Sequence, residues 1–207
     1  NGFDPDYLTL TQDRINFDLA ARNYDYSERG YEMVTFNARN VAIPPGSKNY
    51  DIGFNARAYY DYQTEATSNV CINPNIYSYN TFNDECEVKE ISLSGGQGSP
   101  VAITKIEERI SPSTSDQMEI EFKLQIENKG TGQVISEITI DEVLLSTKRL
   151  QCNFGKITLK DKKASVSCKL TIDKSDGAYL SPLTTRLSYR YTQKIDKSLK
   201  IIAITEE

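Results

Sequence analysis

With 207 residues, the chain is long enough for one large domain or two of about 100 residues each. Its net charge of −5 and isoelectric point near 5.0 leave no basic stripe to neutralise phosphates, so no nucleic acid is expected as a partner. The absence of His removes Ser-His-Asp and Cys-His catalysis along with the commonest zinc ligand, and the absence of Trp removes the Cys-Trp-Cys core of antibody-type domains.

A hydrophobic fraction of 38% and a mean hydropathy of −0.51 suit thin sandwiches in which only alternate strand residues point inward. The 13 Tyr and 7 Phe, set in regular alternation, argue against disorder. No apolar run approaches a membrane span; Leu199 to Ile204 is strand-sized. A chain that opens on Asn1 rather than Met is expected to be processed or cut from something longer.

Tyr7 to Thr11 predicts a short terminal strand, and residues 15–23, INFDLAARN, alternate before ending on Asn23. Tyr24, Tyr26 and Tyr31 follow, and Ile43-Pro44-Pro45-Gly46-Ser47 makes a rigid turn. From Ile52 to Ile72 one phase persists through Phe54, Ala56, Ala58, Tyr60, Tyr62, Ala66 and Val70; this length predicts two strands about a bend near Gln63 to Glu65. Tyr60 and Tyr62 share the inward phase, whereas Tyr59 should face solvent. The stretch from Ile72 to Glu85 is an irregular loop carrying Tyr77 and Tyr79.

Residues 91–100 contain LSGGQ, which resembles the signature of ATP-binding-cassette ATPases. That signature works only beside a P-loop, and the chain has none, so no nucleotide is expected. Ser94 to Ser99, with Gly95, Gly96 and Gly98, instead predicts a joint between two domains, residues 1–98 and 99–207, with Pro100 directing the next strand.

The second half opens on the alternating run 118–128, MEIEFKLQIEN, and the flexible turn Asn128-Lys129-Gly130-Thr131-Gly132. Residues 136–151 have an arguable helical pattern, but Ile138 and Ile140 favour a strand from Glu137 to Val143. Residues 152–170 have the features of a hairpin around Lys160 to Lys163, with a phase switch between Phe154 and Ile157 that points to a bulge at Gly155. Leu187, Tyr189, Tyr191, Ile195, Leu199 and Ile201 align at one constant offset with Ala58, Tyr60, Tyr62, Ala66, Val70 and Ile72, an internal repeat by pattern. On that repeat the hairpin is an insertion in the second copy.

Cys71, Cys86, Cys152 and Cys168 fall as one pair per expected domain. Three connectivities are open; locality favours Cys71 with Cys86 and Cys152 with Cys168, each contributing roughly 3 kcal/mol. Disulfides imply an oxidising compartment, hence an extracellular or cell-surface location. A four-thiolate zinc site would need all four to converge without a C-x-x-C spacing, and no metal or other cofactor is expected.

Asp173, Asp176 and Gly177, and Asp4 with Asp6, read as solvated turns rather than calcium ligands. Glu107, Glu108, Glu119 and Glu121 read as outward strand positions with no acid and base pair set apart, so no catalytic residue is assigned. Tyr24, Tyr26, Tyr59, Tyr77 and Tyr79 form the candidate binding surface, since exposed Tyr gives contact area at low entropic cost.

The runs MEIEFKLQIENKGTGQVISEITI and IPPGSKNYDIGFNARAYYDYQTEA resemble the immunoglobulin-like repeats of archaeal and bacterial surface proteins, including the cell-adhesion-related domain family. This resemblance implies a non-enzymatic spacer, adhesive or envelope module and supplies no functional residues. The expected fold is all-β, two tandem immunoglobulin-like antiparallel β-sandwich domains. The expected function is a structural or adhesive piece of an envelope assembly, whose partners are other copies of itself, other envelope proteins or surface glycans. The alternatives are a filament subunit that donates a terminal strand, Tyr7 to Thr11 or Leu199 to Thr205, and a carbohydrate-binding module or glycosidase.

Overall fold

The computed structural model describes residues 6–19, 31–74, 86–94, 96–174 and 177–203. The described strands are β1 Thr9–Leu10, β2 Ala38–Arg39, β3 Asn49–Ile72, β4 Ile91–Ser92, β5 Val101–Pro112, β6 Gln117–Asn128, β7 Gln133–Val134, β8 Ile138–Leu145, β9 Lys148–Arg149, β10 Gln151–Cys152, β11 Lys156–Ile157, β12 Lys163–Asp173 and β13 Tyr179–Ile202. The one helical element among the described residues is a 3₁₀ turn, Gly96–Gly98. The strand expected over Glu137 to Val143 is present as β8, whereas described residues 15–19 form no strand.

The chain forms two compact units, Arg57–Gln193, and Asn1–Ala56 with Lys194–Glu207. In the larger unit a five-stranded antiparallel sheet runs β10-β12-β6-β5-β4. A second sheet runs β11-β8-β13-β3, with β7 also on β13 and β9 on β8.

On β6 each inward residue, Met118, Ile120, Phe122, Leu124 and Ile126, is fully buried, while Glu119, Glu121, Lys123 and Gln125 alternate outward. These side chains share one core with Ile138 and Val143 of β8, Leu183 and Leu187 of β13, and Val70 and Ile72 of β3. Burying each such side chain stabilises the fold by about 1.5–3 kcal/mol.

Residues on both sides of position 98 therefore belong to one core, and the two sandwiches expected to meet there are not separate bodies. The reason lies in strand pairing: β3, from the first half, is the sheet neighbour of β13, the last of the described strands. Asp61 bonds Arg190, Glu65 bonds Arg186, and Thr67 lies 3.0 Å from Thr184. The partner's number falls as the position on β3 rises, so the two strands are antiparallel.

The supposed repeat copies are thus strand partners. Tyr62 stacks on Tyr189 and Tyr60 packs against Tyr191, with centroids 5.8 and 5.7 Å apart. Alternation reads the same in both directions, so a periodic match does not separate a repeat from an antiparallel neighbour.

The bend expected at Gln63 to Glu65 is also absent, and β3 is one strand of 24 residues. Thr64, polar but in the inward phase, is satisfied there: its hydroxyl donates to the Val101 carbonyl at 2.8 Å and lies 3.0 Å from the Tyr189 hydroxyl. With no Gly or Pro between Arg57 and Ile72, nothing breaks the strand.

In the smaller unit Thr9 pairs with Arg39 and Leu10 with Ala38. Leu8 and Ile52 are buried, Tyr7 packs against Tyr50 with centroids 5.3 Å apart, and the Ala203 N–H donates to the Lys48 carbonyl at 3.1 Å.

Candidate functional site

Of the candidate surface tyrosines, Tyr59 lies among the described residues and is 61% exposed on β3, as its phase requires. Tyr24, Tyr26, Tyr77 and Tyr79 lie outside the described residues, so no shared surface is drawn from them.

The next tyrosines turn inward instead. Tyr60, Tyr62, Tyr189 and Tyr191 form one aromatic cluster against the core. Their hydroxyls are placed by bonds: Tyr189 accepts the Val101 N–H at 3.2 Å, and Tyr191 donates to Asn128 Oδ1 at 3.1 Å. Burial raises the Tyr189 and Tyr60 hydroxyls above the ordinary phenol range.

Asn128 organises the turn that the sequence marked as flexible. Its Oδ1 also accepts the Gly130 N–H, and its Nδ2 donates to the Gly132 carbonyl, both at 3.0 Å. A side chain at Gly130 would meet the Tyr191 hydroxyl and Pro100, and one at Gly132 the Thr192 carbonyl, so both glycines serve close approach rather than motion.

The expected joint is similarly pinned. Gly96 and Gly98 bound the 3₁₀ turn between the paired strands β4 and β5, inside the larger unit; Gly95 lies outside the described residues. Gln97, between them, donates through Nε2 to the Ile103 carbonyl and accepts the Ile103 N–H on Oε1, both at 2.9 Å. This amide occupies the place of a strand neighbour beside the register shift between Ile103 and Lys105. Sequence reading missed Gln97, Asn128 and Thr64, whose signal is a polar side chain beside glycines or in an inward phase.

Both disulfides favoured by locality are present, Cys71–Cys86 and Cys152–Cys168. The second joins residues directly opposite in the β10–β12 ladder. Lys160 and Lys163 close the turn of the expected hairpin, with Asp161 and Lys162 at positive φ. The phase switch has another cause than a bulge at Gly155: between β10 and β11 the chain leaves the five-stranded sheet and joins the other, leaving Phe154 exposed and Ile157 buried.

The outer faces of the sheets are laced with ion pairs. On β5 and β6, Glu107 takes Lys105 at 2.8 Å, and Glu127 takes Lys129 and Lys163 at 3.0 and 3.1 Å, which holds its carboxyl down at about 2. Glu119 takes Lys169 at 2.7 Å. An open depression of about 290 Å³ lies on this face, lined by Glu107, Lys123, Gln125, Lys163, Ala164 and Ser165. On the other sheet Arg186 bridges Glu65 and Glu142.

Glu108 departs from the outward position expected of it. It shares the inward phase of Ile106 and Ile110 and pairs in register with the buried Phe122. Its Oε1 is buried without a hydrogen-bond partner among the described residues, and desolvation raises its carboxyl to about 8. Among the described residues no group of three His, Cys, Asp or Glu side chains is placed to hold a metal.

Comparison with known proteins finds no family model that matches the chain, no matching curated protein and no matching solved structure.

Proposed function

We propose that this chain is a non-enzymatic structural or adhesive module of a cell-surface or envelope assembly, working in an oxidising compartment. The observation that carries the reading is the pair of disulfides, each joining cysteines close in sequence in the larger unit.

Strand order supports an immunoglobulin-like sandwich, in keeping with the resemblance to cell-surface repeats. Such domains set strands A, B, E and D in one sheet and C, F and G in the other. Here β5, β6, β12 and β10 stand in the first order, and β8 and β13 stand as C and F. The place of G beside β13 is taken by β3, which comes from upstream in the chain rather than downstream. The reading is of one sandwich over Arg57–Gln193, not a tandem pair. Tyr59 offers aromatic contact area to a protein or a surface glycan.

A membrane-impermeant maleimide applied to intact cells tests this. The expected result is that the four cysteines label only after a reductant is added, and do so without lysis. Labelling that needs lysis and no reductant would overturn the proposal. The second reading, a self-assembling filament subunit, is favoured by one observation, the outer edge of β13 from Lys194 to Ile202, which no described strand covers. A carbohydrate-binding module or glycosidase has no such observation in its favour.

A further inference from the structure

In the smaller unit β13 has β3 on one edge and no described strand on the other. The Ala203 N–H donates to the Lys48 carbonyl, which fixes the alternation: odd-numbered residues turn their backbone groups toward β3 and even-numbered ones turn theirs away. The same parity holds earlier in the strand. There the Arg190 carbonyl accepts the Ile135 N–H, and the Arg190 N–H donates to Ser136 Oγ, away from β3. The last residue that a described strand covers on that side is Thr192, paired with Gln133 of β7. Beyond it, Lys194, Asp196, Ser198, Lys200 and Ile202 present their N–H and C=O groups to no described strand.

An unpaired edge of this length is a template for another strand unless Pro, a bulge or unmatched charge guards it. This one has no Pro, and it carries exposed apolar side chains: Ile195 is 55%, Leu199 50% and Ile202 66% exposed. Its charges are Lys194, Asp196, Lys197 and Lys200.

We propose that a second copy of this chain docks on this edge, antiparallel, about a twofold axis through Ser198. In that register the two Ser198 residues face each other, and Asp196 of each copy stands opposite Lys200 of the other. Ile195 stands opposite Ile201, and Leu199 lies beside the aliphatic stem of Lys197. Charge disfavours the neighbouring registers: centring on Lys197 sets Lys194 against Lys200, centring on Asp196 or Lys200 sets that residue against itself, and centring on Leu199 leaves Lys200 opposite Ser198 and Asp196 opposite Ile202, with no opposite charge for either. Self-complementarity of charge thus selects both the partner and the register, and backbone bonds along the edge supply adhesion. The pair joins the edges as β3-β13-β13-β3 and, being isologous, closes on itself as a dimer instead of growing.

The pairing stands on this edge and not on the surface-module reading, so a monomer would overturn the pairing and leave that reading to the labelling test. Light scattering of the full chain over a range of concentrations is expected to reach twice the monomer mass of 23.4 kDa. Asp196→Lys and Lys200→Glu each put like charges across the edge twice, and each is expected to stay at 23.4 kDa while keeping the native circular dichroism spectrum. Mixing the two variants is expected to restore the doubled mass, because the mixed pair again sets opposite charges face to face. The proposal is overturned by a wild-type monomer at every concentration, by open-ended growth, by single variants that dimerise as wild type does, or by a mixture that stays monomeric.

Discussion

A carboxyl group turned toward a hydrophobic core keeps its proton, and Glu108 is in that position. Its pKa rises from an ordinary 4.5 to about 8 on folding, through burial. Between those values the folded state binds the proton that the unfolded chain releases. Stability therefore falls as pH rises from about 4.5, by roughly 1.4 kcal/mol per unit, and levels off above about 8. Glu108→Gln retains the shape and removes the titration, so its advantage over wild type in urea unfolding is expected to grow from pH 5 to pH 9 by a few kcal/mol. An advantage that does not change with pH would refute this account. Sequence reading placed both Glu107 and Glu108 outward, yet neighbours on a strand point to opposite faces. The register shift between Ile103 and Lys105 decides which one turns in, and nothing in the local pattern VAITKIEER announces that shift.

At the scale of elements, the strands and the cysteine pairing were legible because both depend on near neighbours in sequence. Inward phase on β3 and β6 follows period-two alternation, and the two disulfides follow short separations of 15 and 16 residues. What alternation does not carry is the identity of the partner strand, so Tyr60 and Tyr62 looked like a copy of Tyr189 and Tyr191 when they are their contacts. Nor does it carry the choice of sheet, which is why the change of sheet after Cys152 looked like a bulge. β10 is two residues long and is tied to β12 by the Cys152–Cys168 bond. Replacing both cysteines by Ala is expected to lower stability by about 3 kcal/mol in chemical unfolding and to speed hydrogen exchange in β10. A loss below about 0.5 kcal/mol would mean that the ladder holds this edge unaided.

At the scale of the molecule, glycines placed between two alternating halves looked like a hinge, but the core was drawn from both sides of them. Gln97 and the β4–β5 pairing make Gly96 and Gly98 part of a tight connection. Residues 99–207 produced alone would lack β3 and β4, leaving the Leu187, Tyr189 and Tyr191 side of β13 without its neighbour. This fragment is expected to give poorly dispersed amide resonances and to bind hydrophobic dyes, whereas the full chain does neither. A well-dispersed spectrum from the fragment would restore the division at residue 98.

The pairing of β3 with β13 also sets a timetable. Asp61 finds Arg190 only once the chain has been made past residue 190, and Lys48 finds Ala203 only past residue 203. Local hairpins such as β5–β6 can form early, but closing the second sheet brings together strands more than 100 residues apart, as Asp61 and Arg190 are at a separation of 129. Such a topology folds slowly, on the order of milliseconds to seconds. During that wait the apolar inner face of β13 stays open to solvent and to other chains.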